Sequence, residues 1–382
     1  MTPKERIDCV LQGRAPDRVP LGHISISSRI ASHLLGRQAH VGGGINRWRE
    51  ATALWNGADA HAEFVARAHQ DAVDIALALD CDLVRSGYWR DGRRPAARID
   101  AYTFRFAWDQ GRQWEVLQLD PVTECYNRVD GSAQAERTLE DLESEVERQE
   151  EAAAAYAPGP DDFADVRYAL ERVGHERHVR CAGMVTSIPV DQPAWLEAAL
   201  LRPELVGRLL DAQVVRSLKS LRVLAGMGGQ LIFGGGDFAS SHGPMYSPRL
   251  FAELVLPRLQ RLSAECSRLG VYHFFGSDGN LWPVAEDLYG RSGIHGHYEV
   301  DRRAGMDALE IHRRYPHLVM VGDISSFTLH VGSVNEVVEE TRACLRAAQQ
   351  THRVISGCSN LIMPETPLGN VDAMLETIAR HR

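Results

Sequence analysis

The sequence has no Cys-x-x-Cys pair, no long apolar run and no block of Lys or Arg, and each absence removes a class of protein. Its seven cysteines (Cys9, Cys81, Cys125, Cys181, Cys266, Cys344 and Cys358) are scattered and odd in number, which excludes a disulfide scaffold and a zinc ribbon. The longest apolar stretches, such as Leu254–Leu256 and Leu318–Val321, are far too short to span a bilayer. Met1–Val19 is charged and lacks the apolar centre of a secretory signal, so the expectation is a soluble, cytoplasmic chain. A net charge of −9, from 42 Lys+Arg against 51 Asp+Glu, argues against a general nucleic-acid or anionic-membrane binder. Nucleotide signatures are also missing. Gly42-Gly43-Gly44 does not fit Gly-x-Gly-x-x-Gly, and no Gly-x-x-x-x-Gly-Lys-Ser/Thr occurs.

What is present is a regular alternation. An apolar fraction of 44% over 382 residues supports a large core. Short apolar runs at Val19–His23, Cys81–Arg85, His178–Met184, Gln230–Gly234, Val271–Phe275, Ile294–Tyr298, Leu318–Val321 and Val354–Ser356 predict eight strands. Amphipathic segments follow most of them, including Ala62–Leu79, Trp195–Ala225, Pro248–Leu269 and Val334–Gln349. Thr2 and Pro3 are placed to start a first helix over Pro3–Gly13. This spacing predicts an α/β fold, a (β/α)8 TIM barrel spanning residues 1–382 as a single domain. Residues 87–130 break the pattern. Tyr102–Trp108 and Gln113–Leu119 flank Asp109-Gln110-Gly111-Arg112, which reads as an inserted β-hairpin. Its aromatics (Tyr88, Trp89, Tyr102, Phe104, Phe106, Trp108, Trp114) either line an apolar pocket or pack the hairpin itself.

In such a barrel the chemistry sits on the loops after the strands. Those loops carry Asp237 and His242, then Ser277-Asp278-Gly279-Asn280, then Glu299 and Asp301, then Asp323, then Cys358 between Gly357 and Ser359-Asn360. A single aspartate there is as well explained as a helix cap. Five successive strands delivering carboxylate, imidazole or thiol to one face point to a site. Six of the seven cysteines read as packing, whereas Cys358 sits in a polar turn and asks for chemistry. A metal at Cys358 would need further donors, and His273, Asp278, His297, Glu299 and His242 are the candidates.

At these residues the chain resembles the uroporphyrinogen decarboxylase superfamily, which includes cobalamin-linked methyltransferases of the methylcobalamin:coenzyme M type. The resemblance rests on Met1-Thr2-Pro3-Lys4-Glu5-Arg6, Pro16-Asp17-Arg18-Val19-Pro20, Gly243-Pro244-Met245-Tyr246-Ser247-Pro248, Ser277-Asp278-Gly279-Asn280, Ala304-Gly305-Met306-Asp307, Gly322-Asp323-Ile324 and Thr366-Pro367-Leu368. It implies a (β/α)8 barrel and a homodimer. The decarboxylases carry an Arg-Gln-Ala-Gly-Arg-Tyr segment after the first strand. Here Gly22-His23-Ile24-Ser25-Ile26-Ser27-Ser28-Arg29 retains one Arg, which argues against a tetrapyrrole with many carboxylates. The methyltransferases bind zinc through His-x-Cys-Gly-Asn and a late Cys. In this chain Gly276 and Asp278 occupy the first two positions and Cys358 the last, so the resemblance implies Cys358 and Asp278 as ligands, with His273 or a donor from a neighbouring loop to complete the set.

Three readings follow. The first is an enzyme moving a methyl group from a small methylated substrate, with zinc and a corrinoid protein as partner. Asp278, Glu299 and Asp237 are then catalytic, while His23, Asp82, His242, Ser277, Asn280 and Asp323 bind substrate. The second is a decarboxylase or related lyase on a smaller acid, with Asp82 or Asp278 stabilising a protonated intermediate. The third is a non-catalytic binding partner in a methyl-transfer system. No Asp-x-His-x-x-Gly occurs, so any corrinoid would come from another protein.

Overall fold

The computed structural model describes residues 1–133 and 137–382. Seven parallel strands form one sheet: β1 Leu83–Arg85, β2 His178–Val185, β3 Leu231–Gly235, β4 Tyr272–Gly276, β5 Gly296–Tyr298, β6 Val319–Val321 and β7 Val354–Ile355. They pair strictly in chain order, β1 to β7. The eighth place is taken by residues 21–24, which run between β7 and β1. Gly22 N–H donates to Ser356 O at 2.8 Å and Ile24 N–H to Cys358 O at 3.1 Å, while Leu21 O accepts from Asp82 and Leu83. The ring closes as a (β/α)8 TIM barrel, and all eight strands lie where the apolar runs place them.

Alternation decides what fills the barrel, because successive side chains point to opposite faces of a strand. Leu83, Leu231, Phe233, Phe274, Val319, Val321, Ile355 and Ile24 share one interior cluster. Phe233 and Phe274 stack there with centroids 4.8 Å apart. Ile7, Val10 and Leu11 of the helix Pro3–Leu11 join the same cluster and plug its N-terminal end. Thr2 caps that helix reciprocally with Glu5. The intervening residues Val84, Val179, Cys181 and Ile232 face the outer helices.

Three helical segments differ from the sequence pattern. The stretch predicted as one helix over Trp195–Ala225 is two, Pro193–Leu201 and Pro203–Gly226, since Pro203 cannot continue the first. The segments after β3 and β4 each contain a π turn, Phe251–Val255 and Glu286–Arg291. No helix among the described residues is long and apolar enough to cross a membrane.

The insertion is a four-stranded antiparallel sheet, Ala97–Arg98, Thr103–Trp108, Gln113–Leu119 and Tyr126–Gly131, twice the predicted hairpin. Its Phe104, Phe106, Leu117, Leu119 and Tyr126 bury against Ala51 of the helix Gly44–Asn56. Gly44 lies against the backbone of Glu124–Tyr126, where a Cβ would have no room. Phe104 and Phe106 thus pack the inserted sheet itself, the second of the two readings open for the insertion's aromatics.

Asp82 also needs correction. It precedes β1, at the plugged end, opposite the loops that carry the candidate site. Its carboxylate is fully buried, accepts from Arg6 Nη1 at 3.0 Å and Leu21 N–H at 2.9 Å, and so ties the first helix to the closing strand. Asp82→Ala leaves the buried Arg6 with one partner fewer, and urea unfolding should show a loss of about 3 kcal/mol with ligand binding at the opposite end unchanged.

Candidate active site

The mouth of the barrel holds a polar cleft of about 310 Å³ lined by Ser241, Asp278, Glu299, Asp301, Arg303, Ser325, Ser326, Phe327, Ser359 and Asn360. Each strand end contributes through its register. Tyr298, the last residue of β5, faces inward across Gly276, where no Cβ would fit, and its hydroxyl donates to Gly234 O at 3.0 Å. The chain then reverses at Glu299, whose φ of 71° is left-handed and unusual for a residue with a side chain. Such backbone strain tends to gather at functional positions.

Glu299 and its neighbours Asp237 and Asp278 are all held above the usual carboxylate range. The Glu299 carboxyl is pushed up to about 7, by burial first and by Asp237 and Asp278 in addition, against the opposing pull of Arg180 and Arg85. Asp278 is raised by burial, then by Asp237 and Asp301, and accepts from Asn360 Nδ2 at 3.4 Å. Asp237 is raised by burial. The three predicted catalytic carboxyls therefore stand together, and Glu299 is poised to hold or give a proton near neutrality.

Opposite them are two arginines that the sequence reading did not single out. Arg85 ends β1 and Arg180 lies in β2, both facing inward, since Val84 beside the first and Val179 and Cys181 beside the second face the outer helices. Both donate through Nη1 to the Ile24 carbonyl, at 2.7 Å and 3.3 Å. Arg85 lies 4.7 Å from the Tyr88 ring centroid and 5.0 Å from that of Trp89; Arg180 lies 4.9 Å from Phe233 and 4.6 Å from Tyr298. Burial and Arg180 lower the Arg85 pKa to about 10, which still leaves it charged. Among the described residues no carboxylate lies within 4.0 Å of either guanidinium, although most carboxylate-facing arginines elsewhere are paired. Two partly buried cations without a counter-ion form a ready anion site.

The remaining predicted residues are dispersed. His273 faces the helix layer, with Nδ1 2.8 Å from Ser263 Oγ, and burial lowers its pKa to about 3. Cys358 belongs to the apolar layer between barrel and helices, fully buried, with its thiol pushed up to about 12. Neither side chain reaches Asp278, and among the described residues no three His, Cys, Asp or Glu side chains converge to hold a metal ion. The predicted zinc set Cys358, His273 and Asp278 does not fit, because alternation along β4 turns His273 away from the face Asp278 occupies. His297 likewise points outward, against Tyr289.

The predicted substrate-binding residues mostly build the loops. His23 accepts the Cys358 N–H on Nδ1 at 3.0 Å, and burial lowers its pKa to about 4. Asp323 turns outward after Gly322 (φ 73°), is fully buried, and accepts from Ser356 Oγ at 2.8 Å. Ser277 is buried and receives Phe238 N–H, and Asn280 caps the turn at Trp282. His242 stands exposed on the rim, on the hairpin that also presents Ser241. None of these five lines the cleft.

The raised Glu299 pKa has a consequence for stability. Its ionised form is disfavoured in the fold, so the stabilisation it leaves intact below the unfolded value of about 4.5 is lost as pH rises through about 7. Glu299→Gln removes that penalty. Its melting temperature should exceed that of the wild type at pH 8 and match it at pH 5; equal temperatures at both would show an unperturbed carboxyl.

The uroporphyrinogen decarboxylase (URO-D) family pattern matches residues 184–381, just over half of the chain. No curated protein matches the sequence. Among solved structures, a methyltransferase from Methanosarcina mazei superposes on 100% of this chain and 99% of its own, with a TM-score of 0.65 at 18% identity, a likeness of fold. The IOLI protein with a bound zinc atom (TM-score 0.25, 10% identity, 61% of this chain and 97% of its own) and Dispersin B (TM-score 0.29, 13% identity, 72% and 82%) share too little geometry to bear on the site. With its family pattern running from β2 to the last helix and its closed barrel, the chain belongs to the uroporphyrinogen decarboxylase family.

Proposed function

We propose that the barrel mouth holds the carboxylate of a small organic acid on Arg85 and Arg180 and decarboxylates it with Glu299 as proton donor. The observation that carries this reading is the inward-facing arginine pair without a counter-ion, set beside a carboxyl that keeps its proton near neutrality. Protonation by Glu299 at the carbon bearing the carboxylate makes that carbon tetrahedral and places positive charge in the adjoining π system. Asp278 and Asp237 stabilise that charge. The bond to the carboxylate then breaks, its electron pair returns to the π system, and CO₂ leaves; the proton stays in the product where CO₂ was. Solvent reprotonates Glu299. Family membership supports the same class of reaction.

A second reading, methyl transfer, is favoured by the whole-chain superposition on a methyltransferase. Glu299 would then protonate the leaving atom of a methylated acid while the methyl group passes to an acceptor, which a corrinoid protein would supply. Activation of a thiol by zinc finds no support in the placement of His273 and Cys358.

Incubation with electron-rich aromatic and enolic carboxylic acids separates the two. Release of CO₂ supports decarboxylation, whereas methylation of added cob(I)alamin without CO₂ supports transfer. On the first reading Glu299→Gln lowers kcat about 10²–10⁴-fold. Arg85→Gln raises KM about tenfold or more. The rate should fall as pH rises through about 7, because the acid form of Glu299 is the active one.

A further inference from the structure

Beyond Glu299 the chain makes a tight turn at Arg302–Ala304. Asp301 ties it down, its carboxylate accepting the N–H groups of Arg303 at 3.0 Å and Ala304 at 3.2 Å. This turn presents the Arg303 side chain to the cleft, where its guanidinium carbon lies 3.5 Å from the centroid of the Phe327 ring. Phe327 is 43% exposed, a large apolar ring left on the rim of a polar cleft. Among the described residues no carboxylate lies within 4.0 Å of Arg303, whereas the adjacent Arg302 faces Asp307 at 3.7 Å. The Asp301 charge is engaged with backbone donors and leaves the guanidinium uncompensated.

Stacking on an aromatic face fixes a long, flexible side chain without using any of its hydrogen-bond donors. Arg303 is thus held in place with its donors available, a geometry suited to an incoming anion and not needed for the turn, which Asp301 already secures. We infer that Arg303 is a second anion anchor, so that the substrate carries two acidic groups, one held inside by Arg85 and Arg180 and one at the rim by Arg303 on Phe327. This deepens the reading of the barrel mouth as a carboxylate site and rests on it. The carboxyls of the cleft would repel a dianion only when ionised. Glu299, with its pKa near 7, takes up a proton as the anion binds. Binding is accordingly tighter at pH 6 than at pH 8.

Acetate and the unbranched dicarboxylates from malonate to pimelate serve as probes, titrated calorimetrically at pH 6 into the full chain. The expected result is that the best-fitting dicarboxylate binds about tenfold more tightly than acetate. In Arg303→Gln that ratio should fall to about 2, the statistical value for two equivalent ends, while Arg303→Lys keeps part of the preference. Arg85→Gln should weaken acetate and dicarboxylate together. A wild type that does not prefer any dicarboxylate, or a preference that survives Arg303→Gln, overturns the second anchor and leaves the inner site standing. Acetate binding that is absent from the wild type or indifferent to Arg85→Gln overturns the inner site, and the second anchor with it.

Discussion

The Ile24 carbonyl is the point on which the mouth of this barrel depends. It belongs to the short segment that closes the ring, held on one side by Ser356 and Cys358 and on the other by Leu83. Closure brings its oxygen within reach of Arg85 and Arg180 together, from two adjacent strands whose side chains would otherwise repel. Shared bonding to one oxygen, with stacking on Tyr88, Trp89, Phe233 and Tyr298, holds the like charges side by side, with no carboxylate among the described residues within 4.0 Å of either. A folded chain that keeps two cations in this state has stored an affinity for an anion.

The opposite wall follows the same logic with the sign reversed. Asp237 stands near enough to raise Asp278, both raise Glu299, and Glu299, the most enclosed, keeps its proton to about pH 7. The arginines limit that rise. On the proposed reading, an anion that neutralises the arginines raises Glu299 further and keeps its proton in place. The two ends of the barrel differ: Asp82 with Arg6 locks the closed end, and the loops at the open end form the polar cleft.

Much of the architecture was legible in the sequence because its cause is local. Apolar runs separated by amphipathic stretches can form only strands and helices, and their even spacing led to eight strands that the structure reproduces. The Thr2 cap and the inserted β segment were equally readable. The loop carboxylates Asp237, Asp278 and Glu299 were found by asking which residues follow each strand. The same question misassigned His273, Asp323 and Cys358, because a position near a strand end does not say which face of the wall its side chain takes. One residue of register, or a single left-handed glycine such as Gly322, turns a site residue into a buried structural one.

Family motifs misled at the metal for a related reason. Cys358 stands at the expected place along the chain, yet its thiol is in the apolar layer, and the donors that would complete a set are on other faces. The arginine pair was overlooked because its meaning lies in what surrounds it, a shared carbonyl and no carboxylate, which no residue pattern displays. The sequence by itself determined the barrel, its insertion and the loops on which polar groups collect, since periodicity and turn chemistry are properties of neighbours along the chain. Only the tertiary structure decided which of those groups face one another and what charge they keep, because desolvation and pairing depend on residues brought close from strands a hundred positions apart.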